Sequence, residues 1–313
     1  MTMLKSTAVT DPKVKMMYEE AKKKAAVLVE ALPYIQRFQG KIVVIKYGGN
    51  AMINEELKQA VFQDVVLMKL VGMNPVLVHG GGPEISDMLK RLGKETKFVN
   101  GLRYTDKEVM EIAEMVLVGK INKEIVAGMN YYGASALGMC GKDGNMIMAE
   151  KYMPTIYDEN GNESQLDIGY VGKVTKVDNQ VLLDVIGQGY IPVIAPIGVG
   201  DDQQTYNINA DFMAGEIASS LKADKFVLLT DTEGIYEGGM DGDKKIFKSL
   251  HIDDTEQLIK SGIISGGMIP KINCCVDALK NGVDRVHIID GRIPHSILLE
   301  IFTNEGIGTM IIK

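Results

Sequence analysis

The chain has 313 residues, 46% hydrophobic and 24% charged, enough to bury a core in two domains or in one large α/β unit with two lobes. This composition excludes a disordered chain, and no apolar run reaches the roughly 20 residues that a membrane span needs. Net charge is −7, from 34 basic and 41 acidic residues, so neither a nucleic acid nor a membrane is an expected partner. The opening segment lacks the apolar stretch of a secretory signal. Cys140, Cys274 and Cys275 give no disulfide framework, and reduced thiols in a cytoplasmic protein are expected.

In chain order, Val14, Met17, Tyr18, Ala21, Ala25, Leu28, Val29 and Leu32 keep helical spacing and predict an amphipathic helix that Pro33 interrupts. Its apolar stripe requires cover, from its own domain or from another subunit. Short apolar runs then predict strands at Ile42–Ile45, Val76–Val78, Ile191–Ala195, Phe226–Leu229, Val286–Ile289 and Met310–Ile312. Between them, helices are predicted at Glu55–Val71, Asp106–Gly119, Asp178–Gly187 and Asp211–Leu221. Residues 140–176, rich in glycine and polar residues, predict hairpins or a flap. Strands separated by helices imply right-handed crossovers and a largely parallel sheet, an α/β fold.

Several signatures are absent: a Walker A loop, a protein-kinase catalytic loop, a dinucleotide-binding Gly-x-Gly-x-x-Gly and a nucleophile elbow. His79, His251, His287 and His295 show no metal spacing. Glycines cluster instead at strand ends, in Lys46-Tyr47-Gly48-Gly49-Asn50 and in His79-Gly80-Gly81-Gly82-Pro83. Ligands bind at the carboxyl ends of parallel strands, and glycines there let backbone N–H groups approach an anion. A tight turn explains such glycines equally well. Lys46, closing an apolar strand before two glycines, points to anion binding. Asn209 or Asp211 could be a helix N-cap or part of a site. Lys271, beyond Gly266-Gly267, could be a solvated lysine or an anion ligand. Arg103 could clamp a carboxylate or lie on the surface.

Together these segments resemble the acetylglutamate kinases of the amino acid kinase family. The likeness runs through Lys41–Met52, Val78–Pro83, Gly101–Arg103, Met115–Lys123, Asn207–Asp211, Leu229–Gly234, Gly266–Lys271 and Gly306–Met310, nearly the whole chain. It implies a parallel sheet sandwiched by helices, an oligomerisation helix at 1–39, an acetylglutamate-binding and dimerising lobe at 40–200, and an ATP- and arginine-binding lobe at 201–313.

The implied reaction moves the γ-phosphoryl of ATP, carried with Mg²⁺, to the side-chain carboxylate of N-acetyl-L-glutamate. An acceptor with a pKa near 4 is already ionised, so no general base is required. The obstacle is repulsion between anions, which lysines and N–H groups relieve. By resemblance, Lys46, Lys271, Asp211 and Gly49 are catalytic, with Asp211 holding the two lysines. Gly81, Gly82, Arg103, Asn207 and Asn209 bind the acid, and Gly81 also lends its amide to the phosphoryl group. Gly48, Thr230, Asp231, Gly234, Gly266 and Gly267 contact nucleotide, and no dedicated metal site is implied. The N-terminal helix resembles the extension of arginine-inhibited members that links dimers into hexamers, with Tyr34, His295, Glu300 and Gly306 as the arginine site. A P-II-type signalling protein is a candidate partner. Two alternatives stand beside this reading: a relative acting on another small acid, and a non-catalytic arginine sensor.

Overall fold

The apolar runs assemble into one eight-stranded sheet. In the computed structural model, residues 12–157, 163–238, 245–303 and 306–313 are described. The sheet order is Ser249–His251, Thr309–Ile312, Arg285–Asp290, Lys225–Thr230, Ile42–Tyr47, Asn74–His79, Ile191–Ala195 and Ala136–Cys140. The last six strands run parallel. Thr309–Ile312 is antiparallel to its neighbour and carries Ser249–His251 at the edge. Each predicted strand is present. Ala136–Cys140 was not predicted, because Gly138 dilutes its β signal.

Alternation along each strand sends side chains to two cores. Val43, Ile45 and Leu77 face one core with Val61, Val65 and Met68 of the helix Glu55–Leu70. Val44, Val76 and Val78 face the other, with Met213 and Ile217 of the helix Ala210–Ser220 and Ile272 of the helix Met268–Lys280. Helix starts follow their caps: Asn54, Asp106 and Asp178 each accept a first-turn N–H.

Two local predictions are corrected. The first helix spans Pro12–Phe38 and passes through Pro33, whose missing N–H costs one bond in a helix long enough to tolerate it. Its stripe is not folded back on the sheet: Met17, Leu28 and Val29 are all more than 60% exposed. The helix that begins after Asp106 does not stop at Gly119. It widens into a π-helix at Met115–Ile121 and resumes as Asn122–Tyr131. The wide turn keeps Val116, Leu117 and Ile121 buried, so the apolar face outlasts the glycine. Within 140–176, strands Ile147–Lys151 and Val171–Val177 close a small barrel with Ile197–Val199 and Thr205–Ile208. Thr155–Tyr157 pairs with Glu163–Gln165 as a hairpin, and residues 158–162 lie outside the described residues.

Candidate active site

The parallel strands end together on one edge, and Lys46 sits there, buried, on the strand Ile42–Tyr47. The first turn of the helix Ala210–Ser220 places Asp211 opposite it, with Lys46 Nζ 3.0 Å from Asp211 Oδ1. Lys271, in the first turn of the helix Met268–Lys280, donates to the other oxygen, Asp211 Oδ2. Burial pushes the Asp211 carboxyl up, but the two ammonium groups outweigh it and hold it down to about 2. Asp211 is therefore a fixed anion and cannot serve as a base near neutrality. Two cations held by one carboxylate leave a net positive charge for an incoming anion.

The glycine loop after Tyr47 is shaped around these groups. A Cβ at Gly48 would lie 2.5 Å from Lys46 Nζ, so glycine leaves the lysine its path. Gly49 has φ +68°, and a Cβ there would lie 2.6 Å from Asp231 Oδ1. That same oxygen accepts the Asn50 N–H at 2.8 Å, so Asp231 anchors the loop. Thr230 is buried, with its hydroxyl 3.1 Å from that of Thr232. A Cβ at Gly234 would meet Thr309 Oγ1 at 2.7 Å. Thr230, Asp231 and Gly234 thus shape the strand ends. Gly266 and Gly267 are open and line a cavity of about 720 Å³ together with Asp211 and Lys271.

On the other side of Lys46 lies a pocket of about 200 Å³, bounded by Gly80, Gly81, Gly82, Arg103, Asn207, Asn209 and Asp211. Arg103 is 7% exposed. Its Nη2 donates to the Gly82 carbonyl at 2.7 Å and to Ser86 Oγ at 2.9 Å. Its Nη1 is buried without a hydrogen-bond partner, a donor suited to a carboxylate. The Phe98 ring lies under the guanidinium, 4.8 Å away. Asn209 caps its helix by accepting the Asp211 and Phe212 N–H groups. Asn207 Nδ2 is 3.5 Å from Thr105 Oγ1. A Cβ at Gly81 would come within 2.4 Å of Ile121 and 2.7 Å of Leu117 in the π-helix. Ser86 and Phe98 carry no motif signal in the sequence, and Leu117, inside the resembling segment Met115–Lys123, had no role assigned.

A second cavity, of about 310 Å³, lies between the first helix and the far end of the sheet. Tyr34, Glu300 and Gly306 line it, as the sequence suggested, but His295 does not. His295 Nδ1 pairs with Asp64 Oδ1 at 2.6 Å, on the helix Glu55–Leu70. His287 takes the position in the cavity instead: its Nδ1 donates to Glu300 Oε1 at 2.6 Å and its Nε2 accepts from Lys225 at 3.0 Å. Arg37, Lys225, Lys248 and Arg285 make the walls basic. Burial pulls the Lys225 ammonium down to about 8, against the pull of Glu300. A lysine opening an apolar strand and a histidine inside another were the available signals.

The chain belongs to the amino acid kinase family, whose sequence model matches residues 41–290. Within that family it is most informatively compared with proteins named acetylglutamate kinase. The one from Moorella thermoacetica is 60% identical, over 92% of this chain and 97% of its own. The one from Heliobacterium modesticaldum is 58% identical, over 94% and 99%. Among solved structures, N-acetylglutamate synthase from Neisseria gonorrhoeae, complexed with coenzyme A and N-acetyl-glutamate, superposes with a TM-score of 0.78 at 26% identity. It covers 92% of this chain and 63% of the synthase. Carbamate kinase from Giardia lamblia, bound to AMP-PNP, shares the fold at a TM-score of 0.62 and 16% identity, over 88% of this chain and 99% of that one.

Proposed function

We propose that the chain is an ATP-dependent phosphotransferase, moving the γ-phosphoryl of ATP to the side-chain carboxylate of N-acetyl-L-glutamate to give the acyl phosphate, in arginine biosynthesis. The observation that carries this reading is the unpartnered Arg103 Nη1 in a pocket that also holds the Lys46–Asp211 pair. Arg103 grips the α-carboxylate, which does not react. That leaves the side-chain carboxylate directed toward Lys46, where the Gly49 and Gly81 N–H groups meet the phosphoryl group. Gly82 and Asn207 complete the acid's surroundings, and Asn209 contributes by fixing the start of the Asp211 helix.

Lys271 approaches from the larger cavity, where Gly266 and Gly267 admit the nucleotide. Gly48, Thr230, Asp231 and Gly234 hold the strand-end loops that border it. Asp211 pairs with two lysines and Asp231 accepts the Asn50 N–H, and Mg²⁺ would arrive on the nucleotide phosphates and neutralise charge there. No proton need be abstracted. The lysines screen one anion from another and follow the charge as it spreads over the transferring oxygens.

The lobes at 40–200 and 201–313 then correspond to the acid and the nucleotide, although they share one sheet. The second cavity is read as the site of feedback inhibition by L-arginine. Glu300 faces the cationic side chain and Lys225 the carboxylate, with Tyr34 and Gly306 beside them. The exposed stripe of the first helix is read as the contact that joins dimers into a cytoplasmic hexamer, and a P-II-type protein remains a candidate partner. ADP release with N-acetyl-L-glutamate, L-glutamate and L-aspartate, with and without arginine, tests this. Turnover confined to the acetylated acid and lowered by arginine is expected. Equal turnover of glutamate would transfer the reading to another small acid.

A further inference from the structure

His79 ends the strand Asn74–His79 immediately before the glycine loop, and it is completely buried. Its Nδ1 lies 2.7 Å from the Gly80 carbonyl oxygen. A carbonyl only accepts, so Nδ1 carries the proton. Its Nε2 lies 3.2 Å from Asn122 Nδ2. The orientation of Asn122, itself fully buried, is set from two further sides. Asn122 Nδ2 donates to the Val193 carbonyl at 2.9 Å, and its Oδ1 accepts from Lys123 Nζ at 3.0 Å. The carboxamide can therefore only donate to Nε2, which fixes His79 as the neutral tautomer protonated at Nδ1. Burial acts in the same direction, pulling the imidazole down to about 4. A Cβ at Gly138 would fall 1.9 Å from Asn122 Oδ1, so a glycine in the neighbouring strand makes room for this network.

The Gly80 carbonyl and the Gly81 N–H belong to one peptide unit. That unit is planar and trans, so its oxygen and its hydrogen point in opposite directions. A donor that grips the oxygen decides where the hydrogen aims. Among the described residues the Gly81 N–H meets no acceptor, and Gly80 and Gly81 both line the pocket that contains Lys46 and Asp211. Leu117 and Ile121 pack so closely against Gly81 that a Cβ there would meet them, which holds the loop against the π-helix at this residue. The hydrogen bond on the oxygen also polarises the amide and strengthens its N–H as a donor.

We propose that His79, oriented by Asn122, is a positioning residue that grips the Gly80 carbonyl and so aims the Gly81 N–H at the anion bound between this loop and Lys46. The inference rests on the functional reading above, in which that anion is the transferring phosphoryl group. It assigns a task to the Met115–Lys123 segment: the π-helix supplies the residues packed against Gly81, and Asn122, the first residue of the helix that follows, fixes the imidazole.

Two variants and one measurement on the unmodified protein decide it. His79→Leu removes the donor. His79→Asn restores one near the Nδ1 position. The leucine variant should lose about tenfold to 10²-fold in kcat, because a misaimed donor is missed mainly in the transition state. Its KM for N-acetyl-L-glutamate should change less than threefold. The asparagine variant should regain most of the loss, which a purely packing role would not permit. Equal losses in the two variants, or an unchanged kcat in the leucine variant, would overturn the proposal. Nitrogen-15 NMR of histidine-labelled wild-type protein, with ring signals assigned through the backbone so that His79 is told from the equally Nδ1-protonated His287, should show the His79 imidazole protonated at Nδ1, bare at Nε2 and constant from pH 5 to 8. An Nε2–H tautomer or a titrating ring at His79 would overturn it without any variant. If the wild type turns over no acetylated acid, the functional reading fails, and the tautomer still decides the His79 hydrogen bond.

Discussion

Asp211→Asn is the sharpest perturbation of the proposed centre, because it removes one charge and almost no volume. The carboxyl is held at about 2 against an ordinary 3.8. At about 1.4 kcal/mol per pKa unit, that depression stabilises the fold by about 2 kcal/mol. Its side chain is 14% exposed, so solvent screens little of this. The sign follows from the direction. The folded state favours the ionised form, so the stabilisation is complete above pH 4 and fades as pH falls from about 3.8 toward 2. Thermal unfolding should therefore place the variant about 2 kcal/mol below wild type at pH 7, with a narrower gap at pH 3. Without their shared counter-ion, Lys46 and Lys271 repel each other and leave their places. Misplacement of catalytic groups by about 1 Å costs on the order of 10²-fold, so kcat in the ADP-release assay should fall by at least that much. The KM for N-acetyl-L-glutamate should stay within about threefold, since Arg103 is untouched. A kcat within threefold of wild type, or a stability gap as wide at pH 3 as at pH 7, would refute the reasoning.

Arg103→Ala should raise the KM for N-acetyl-L-glutamate by about 10- to 100-fold, the equivalent of roughly 1.5–3 kcal/mol for a lost charge-assisted contact, with the KM for ATP unchanged. An effect on ATP instead would move Arg103 to the nucleotide side. His287→Asn should raise the arginine concentration needed for inhibition, and His295→Asn should not; the opposite ranking would return His295 to the effector site. Inhibition by arginine should weaken as pH rises through about 8. The fold disfavours protonated Lys225 and a bound carboxylate favours it, so binding takes up a proton, and a flat profile from pH 7 to 9 argues against this contact. Deleting residues 1–32 should leave an active dimer, by light scattering, that needs much more arginine; loss of catalysis would contradict a purely regulatory helix.

The sheet was legible because its strands are buried on both faces. Val43, Val44 and Ile45 read as an uninterrupted apolar run for that reason. Helix starts were legible through Asp106 and Asp178, whose side chains compete for first-turn N–H groups in any context. Helix ends were less so. Gly119 and Pro33 signal breaks, yet at both positions the packing beyond outweighs the local preference. Ile121 continues a buried face past the glycine, and Phe38 buries itself beyond the proline. Ala136–Cys140 escaped notice because its glycine serves Asn122, a residue 16 positions earlier that no local pattern connects to it.

The site divides along the same line. Lys46, Asp211 and Lys271 each precede or follow a glycine or a cap, so local pattern and resemblance agree on them. That they converge is a tertiary fact, carried by the 3.0 Å Lys46 contact and the Lys271 hydrogen bond on one carboxylate. The effector cavity shows what local pattern cannot supply. His295 and Glu300 lie five residues apart and read as one cluster, but a left-handed residue stands between the strand and the final helix. With φ +58° at His295, the imidazole turns toward Asp64 while Glu300 turns toward the cavity. His287 is 13 residues from Glu300 and looks like an interior strand residue. Its partners, Lys225 and Glu300, come from a neighbouring strand and from the helix Ser296–Phe302 packed against the sheet, so only tertiary structure brings the three together. Polar side chains buried on adjacent parallel strands are a signal that a single sequence can offer, because burial without a partner would be too costly to keep. Lys225 and His287 carried that signal, and its meaning required the register to be known.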